Sequence, residues 1–516
     1  MRVKNSIKNI YISIVSQIII ILLGFISRKV FVDSLGIEYL GINGLLTNLI
    51  SMLSLVESGI GLSIVYSLYK PLANKDKDRI IALVQLYKKS YAFLAVVIFV
   101  LGLILYPSLN IFMKNVNNIP YISVVYFIFI FRNVVSYLNA HKWSLINADQ
   151  KGYILVKISL YFNIITTICK ILILKETKNY ILYLIIDLFI FILQNIINGI
   201  IVNKRYPYIK TNKRYFVDKK NKNEIKNNVK ALFLHNIGGY FVFGTDNLLI
   251  SAFIGIKAVG LYSNYSMIID QLQALAIQVI NGVGASIGNL IALEDKEKSY
   301  QIFKVIYLIN FWIYSICSIF LYNLLEPFIN WWLGNGYLIN KNIFIIIIIN
   351  FYITGLRQSI QAFKTKAGIF VQDKYMPLVE SVINLGVSFI LVKPLGMMGI
   401  FIGTTFSTLC TVFWNAPRLV YKLVFKKNVI EYFKIYLFYI ILTIVAGVLT
   451  SFICSNLITV TGFISLIIKG IVCIVVPSCL YLLVFLKTDE FKYILNILKP
   501  IIYKFNKYLG ITKENY

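Results

Sequence analysis

The sequence predicts an all-α polytopic membrane protein: about fourteen transmembrane helices, forming two six-helix lobes in parallel repeat and two further C-terminal helices. Composition is the first ground. Of 516 residues 58% are hydrophobic and only 14% charged, and the mean hydropathy is +0.76, which leaves too little polar surface to cover a soluble globule of this length. The second is the recurrence of apolar runs of about 20 residues, the length a helix needs to cross hydrocarbon. The third is an internal duplication, in which Ser27–Arg79 returns in diverged form as Asp246–Lys298. Leu35–Gly41 (LGIEYLG) lies over Ile254–Gly260 (IGIKAVG), and Ala73–Arg79 over Ala292–Lys298 in the same register. Transporters built from two like halves work at the contact between them.

The runs fall at 9–32, 42–69, 91–113, 119–141, 153–175, 179–202, 231–254, 258–291, 302–325, 342–363, 375–393, 395–417, 433–455 and 462–486. The second and eighth exceed one span and are expected to tilt or extend past the membrane. The first follows a basic start (Arg2, Lys4, Lys8) without a small-residue cleavage site, so it is read as both anchor and address. Segment 203–230 is the longest polar interruption and separates the repeats. The expected division is therefore a first lobe at 1–205, a basic linker at 206–230, a second lobe at 231–425, and helices thirteen and fourteen with a basic tail at 426–516. An even number of helices before the linker sends both copies into the membrane in the same direction.

The net charge of +29 would suggest nucleic acid in a soluble protein. Here the lysines and arginines crowd alternate short loops, which points to anionic headgroups of membrane lipids as partners, excludes nucleic acid, and places both termini in the cytoplasm. The six cysteines sit in apolar runs without metal spacing and read as small packers, and His141 and His235 are isolated, so no metal is expected. No phosphate-binding glycine loop, catalytic Ser/His/Asp set or sugar-transfer motif occurs, so no enzyme activity is expected. Glycines such as Gly59, Gly61, Gly282, Gly284 and the run Gly396–Gly403 are expected to let helices approach or bend.

Charges inside spans carry the functional reading, because each costs at least ~2.5–3.5 kcal/mol at the centre of a helix. Arg132 in the fourth run and Arg357 in the tenth are read as holding like places, one from each lobe. Facing a shared space they would make a cationic site for phosphate, which guanidinium binds bidentately; the alternative is pairing with a carboxylate in the same lobe. Arg28 is a third candidate, lining an outer mouth or reaching the headgroups. Glu57, Asp187, Asp246 and Asp270 are the candidate ion-coupling acids, since a carboxylate in a water-poor cavity takes a proton or a sodium ion. Glu57 is the first choice. Asp187 and Asp270 are also read as internal partners of basic residues, and Asp246 with Asn247 as a cap at a helix break.

LGIEYLGINGLL after the first run, LVESGIGLSIVYSLYKPLANKD in and after the second, DNLLISAFIGIKAVGLYSNY in the second copy and LGMMGIFIGTTFST at the twelfth together resemble the polysaccharide flippases of the multidrug/oligosaccharidyl-lipid/polysaccharide exporter superfamily. The resemblance covers nearly the whole chain, through diffuse motifs at helix ends. It implies a two-lobe transporter in the bacterial cytoplasmic membrane that moves a polyprenyl-pyrophosphate-linked oligosaccharide by alternating access for capsule, O-antigen-like or cell-wall polysaccharide. It also implies a cationic cavity, a proton or sodium gradient as drive with no other cofactor, and polysaccharide polymerase and glycosyltransferases as partners. Arg132 and Arg357 fit the cationic role by position, without a matching family motif. The Gly396–Gly403 run has no clear counterpart in the first copy. A lipid II flippase is the close rival. A drug or cation exporter of the superfamily is a more distant one, since its fold usually stops at twelve helices.

Overall fold

In the computed structural model the described residues are 2–57, 60–113, 120–149, 151–218, 244–282, 295–369, 371–456 and 462–496, with 222–223, 225–226, 229, 233, 238–242 and 499. Among them the secondary structure is helical, without a strand. Eleven helices are long and apolar enough to cross a membrane, twelve when the bent pair Ile122–Leu138 and Ala140–Ala148 counts as one span. The expected fourteen thus exceeds what these residues display. The seventh run, 231–254, falls largely outside them, as do Gly59, His235 and 283–294, which include Gly284 and the end of the second copy's loop.

Two compact units emerge. The first holds residues 1–263 and 389–400, the second 264–388 and 401–516. The division therefore falls inside the helix Ile256–Gly282 rather than at the basic linker. The beginning of the second copy packs within the first unit, and the linker is tied there too: the side-chain amide of Gln85 donates to the Lys213 carbonyl and accepts from the Tyr215 N–H, at 2.8 and 3.1 Å.

In the first unit α1 (Arg2–Leu35) runs to Gly36, whose φ of +90° is open to glycine and starts α2 (Ile37–Leu53). The second predicted run is not one long tilted helix. α2 stops at Leu53 and a 3-10 turn covers Ser54–Glu57, with α3 described over Ile60–Ala73, so Glu57 lies in a 3-10 turn and not in an α-helix. Then follow α4 (Lys77–Leu105), α5 (Ile122–Leu138), α6 (Ala140–Ala148), α7 (Tyr153–Thr177) and α8 (Tyr180–Arg205). α9 (Asp246–Phe253) begins after a turn at Gly244–Thr245, and α10 (Ile256–Gly282) begins after Gly255, whose φ is +127°.

The duplication is visible in geometry. Gly36 and Gly255, 219 residues apart, both have positive φ. Asp76 caps α4 by accepting from the Arg79 N–H at 3.1 Å, and Asp295, again 219 residues on, caps its own helix from the Lys298 N–H at 2.8 Å. The copies also touch reciprocally. A Cβ on Gly41 would collide with the carbonyl oxygen of Ile256, and a Cβ on Gly260 with that of Ile37. In the repeat register Gly41 matches Gly260 and Ile37 matches Ile256, so one contact is made twice.

The remaining helices are α11 (Lys296–Leu333), α12 (Lys341–Leu356), α13 (Gln358–Lys366), α14 (Met376–Leu395), α15 (Met397–Cys410), α16 (Val412–Val420), α17 (Ile430–Asn456) and α18 (Gly462–Phe485); 389–400, at the end of α14 and the start of α15, belongs to the first unit and the rest to the second. α17 and α18, the helices beyond the duplication, pack on α11 through aromatics: Phe311 stacks on Tyr439 with centroids 4.1 Å apart, and Tyr481 lies against Phe311 and Trp312. Apolar side chains such as Leu483, 81% exposed, and Ile390, 72% exposed, turn outward, as lipid-facing positions do.

Candidate functional site

Seven charged residues gather into two clusters, one in each unit. In the first, α7 and α8 form a hairpin closed by Lys178–Asn179. Lys178 adopts the left-handed conformation, and the Asn179 side chain caps α8 by accepting from the Leu182 N–H. Lys170 lies eight residues before this turn and Asp187 eight after it, so the antiparallel helices bring them level. Lys170 Nζ is 2.8 Å from Asp187 Oδ1, and Arg132 Nε on α5 is 3.0 Å from Oδ2. Two cations thus share one carboxylate. Arg132 also stands 4.6 Å from the centre of the Phe191 ring and Lys170 4.4 Å from that of Tyr183. The Arg132 side chain keeps 47% of its surface exposed, so its guanidinium retains room for a second acceptor.

Glu57, in the 3-10 turn after α2, accepts from the Tyr91 hydroxyl at 2.6 Å. Tyr91 is stacked between Tyr87 and Tyr137, with centroids 5.4 and 5.7 Å away, and the Asn133 amide donates to Ser54 Oγ at 3.2 Å. Asp246 is buried at the first position of α9, just after the N-cap Thr245, and neither its Oδ1 nor the Oδ1 of Asn247 has a hydrogen-bond partner among the described residues, so the expected side-chain cap is not made by these atoms. Close by, the Asn48 amide donates to the Gly244 carbonyl at 3.0 Å and the Tyr240 hydroxyl to the Asn48 carbonyl at 2.6 Å. Arg28 reaches a residue of the second copy. Its Nη1 donates to Ser263 Oγ at 3.1 Å, because Ser263 stands in the first turns of α10, against the N-terminal helices of the first copy.

In the second unit Arg357 caps α12 where it breaks to α13, with 16% of its side chain exposed. Its Nη1 is 3.8 Å from Glu380 Oε1 and without a hydrogen bond, while Glu380 accepts from the Thr408 hydroxyl at 2.9 Å. Lys364 pairs with Asp373, both almost wholly buried, and the Asn415 amide donates to Asp373. Here two bases meet two acids. Asp270, on α10, is exposed and has no ion pair among the described residues, so the expected internal partner is not found there.

The two arginines do not hold like places. α4 and α11 start 219 residues apart, as do α5 and α12, so the register of the duplication runs through these helices. It sets Arg132 opposite Phe351, and Arg357 opposite Leu138. The offset is six residues along the helix, about 9 Å at 1.5 Å per residue. Similar surrounding letters had aligned residue types and not positions. The sequence reading also missed Lys170, the Tyr87/Tyr91/Tyr137 stack and Glu380, although Glu380 is an acid within an apolar run and carried the same signal as Asp187.

A family model described as "Polysaccharide biosynthesis protein" matches residues 6–284, more than half of the chain. No curated protein matches in sequence. Among solved structures, the lipid II flippase MurJ in an inward closed conformation superposes with a TM-score of 0.66 at 13% identity, over 92% of this chain and 98% of that one. An inward-facing multidrug resistance MATE family transporter of the MOP superfamily gives 0.56 at 13% identity, over 78% and 94%. A MATE transporter of Vibrio cholerae gives 0.56 at 12% identity, over 83% and 99%. The fold is therefore shared with flippases and exporters, and the chain belongs to the polysaccharide biosynthesis protein family.

Proposed function

We propose that the protein is a flippase that carries a polyprenyl-pyrophosphate-linked oligosaccharide across the bacterial cytoplasmic membrane by alternating access, with both termini in the cytoplasm. The observation that carries this reading within the family is the first unit's cluster, where Arg132 and Lys170 share the single carboxylate of Asp187. A surplus cation on a half-exposed guanidinium is suited to a phosphate oxyanion, which it binds through parallel N–H donors. Arg357, balanced by Glu380 and enclosed, supports the second unit's helix break instead. The coupling ion, a proton or sodium, is assigned to Glu57 and Asp246. Glycosyltransferases supply the substrate and a polymerase consumes it.

The test is flipping of a labelled polyprenyl-pyrophosphoryl oligosaccharide in proteoliposomes, comparing wild type with Arg132→Ala and Arg132→Lys at matched insertion. The expected result is about a tenfold or greater fall for Arg132→Ala, the loss of one charge-assisted contact, with partial retention in Arg132→Lys. Unchanged flipping in both removes the arginine from the site. Absence of wild-type flipping for every polyprenyl substrate turns the reading toward an exporter of small molecules. Lipid II is the second substrate to offer, because the MurJ structure superposes over more of this chain than the MATE structures do.

A further inference from the structure

A second cationic site lies in the first unit, away from Arg132 and Lys170. Lys142, half-buried on α6, places its ammonium 3.1 Å from the point where a Cβ on Gly199 of α8 would stand, and the Asn139 side-chain amide approaches the same point to 3.2 Å. A larger residue at this position would crowd both side chains. Lys88 of α4 and Lys210, just after the 3-10 turn Pro207–Ile209, are exposed and repel Lys142, while Lys88 and Lys142 repel His141. No ion pair relieves these three lysines among the described residues. The nearby acid, Asp149 at the end of α6, is already held by Lys151 and by the Tyr206 hydroxyl, the latter at 2.6 Å.

Two buried polar groups beside them are also unsatisfied. Asn198, 1% exposed and adjacent to Gly199, has a partner for neither its amide nitrogen nor its oxygen, and Nδ1 of His141, 5% exposed, has none either. A buried group left unpaired is destabilising, and gathering like charges around it adds to that cost. A bound oxyanion offsets the like charges and pairs with the unsatisfied donors, since ammonium groups and the amide N–H₂ donate, as does an imidazole nitrogen that carries its proton. Position narrows the anion. Lys88 lies eleven residues inside the start of α4 and Gly199 six residues before the end of α8, about 16 and 9 Å from the helix ends. α4 has 29 residues and α8 26, more than the ~20 that cross the hydrocarbon, so the ends of both helices reach beyond it.

We propose that Lys88, Lys142 and Lys210, with Asn198 and His141, form a binding site for a phosphoryl group at the basic end of the first unit. The phosphoryl comes either from an anionic phospholipid headgroup or from free phosphate, and the site is separate from the one proposed for transport.

The experiment uses the purified full-length protein. Native mass spectrometry reads retained lipid after exchange into phosphatidylglycerol or phosphatidylcholine, and thermal unfolding of delipidated protein is followed with inorganic phosphate or pyrophosphate. Variants are Lys142→Ala, the double reversal Lys88→Glu/Lys210→Glu at exposed positions that leave packing untouched, and Lys487→Glu as a remote basic control. Wild type and Lys487→Glu are expected to retain phosphatidylglycerol at least tenfold over phosphatidylcholine, with that preference lost in both site variants; this assigns a lipid. Stabilisation by phosphate in wild type alone, without lipid preference, assigns free phosphate. If Lys142→Ala does not fold, the double reversal decides by the same criteria. Equal lipid retention and equal phosphate response in wild type and the double reversal overturns the site.

Discussion

The two charge clusters differ in balance and in enclosure. Around Asp187, two bases share one acid and Arg132 stays half-exposed; around Arg357, Lys364, Glu380 and Asp373 the charges cancel and the groups are buried. Buried, balanced pairs hold helices in one arrangement, whereas a surplus charge open to a ligand can act on something else. The second cluster therefore has the build of a brace, and the first is the one the proposed function gives to the substrate, even though a single residue type makes them look like a matched pair.

The sharpest way to break this contrast is at the buried pair. Lys364→Ala strands Asp373 and is expected to cost about 3–5 kcal/mol, read as a lower unfolding temperature in detergent, while Lys364→Met with Asp373→Leu recovers most of the loss. A single variant as stable as wild type would mean that water already reaches the pair, and the distinction between brace and site would fall. Asp187→Asn comes next. It removes the charge that two cations share and turns one of the two acceptor oxygens into a donor, and is expected to cost about 1.5–3 kcal/mol, by the same measurement. Where the copies share a contact they should respond alike: Gly41→Ala and Gly260→Ala each force a Cβ into a backbone carbonyl and should each cost about 1–3 kcal/mol. Unequal losses would show that only one of the two crossings is tightly packed. The smallest stability effect belongs to Arg132→Ala, under about 1 kcal/mol for so exposed an ion pair. Flipping and stability then separate at Arg132, and fall together at Arg357→Ala.

Much of this was legible in the chain. The register of the duplication extends to cap residues, as Asp76 and Asp295 show, because a side chain that accepts from the N–H three residues on leaves a local signature. The ion pairs were legible too, by a rule the sequence reading did not apply. Lys170 and Asp187 are equidistant from the Lys178–Asn179 turn, and Lys364 with Asp373 and Arg357 with Glu380 are each equidistant from Gly368–Ile369. Helices joined by a short turn run antiparallel, so equal distances from it meet. By contrast Tyr87, Tyr91 and Tyr137 come from α4 and α5, and the rotation that stacks them beside Glu57 depends on packing that no local pattern encodes. The 3-10 turn at Glu57 was hidden for a related reason: the apolar run continues across it, and hydrophobicity reports burial without reporting continuity of the α-helix.

The crossing of Gly41 on Ile256 and Gly260 on Ile37 bears on ancestry. A contact in which residue i of one copy meets residue j of the other, and j meets i, is made by a single surface used twice, as in a two-fold homodimer. Arg28 and Asn247 follow the same rule, the first reaching Ser263 and the second lying beside Gly44, their register counterparts. Such a surface needs no second gene to complete it. Two identical half-length chains would carry both sides of this contact, and one chain holding both copies keeps the two sides together.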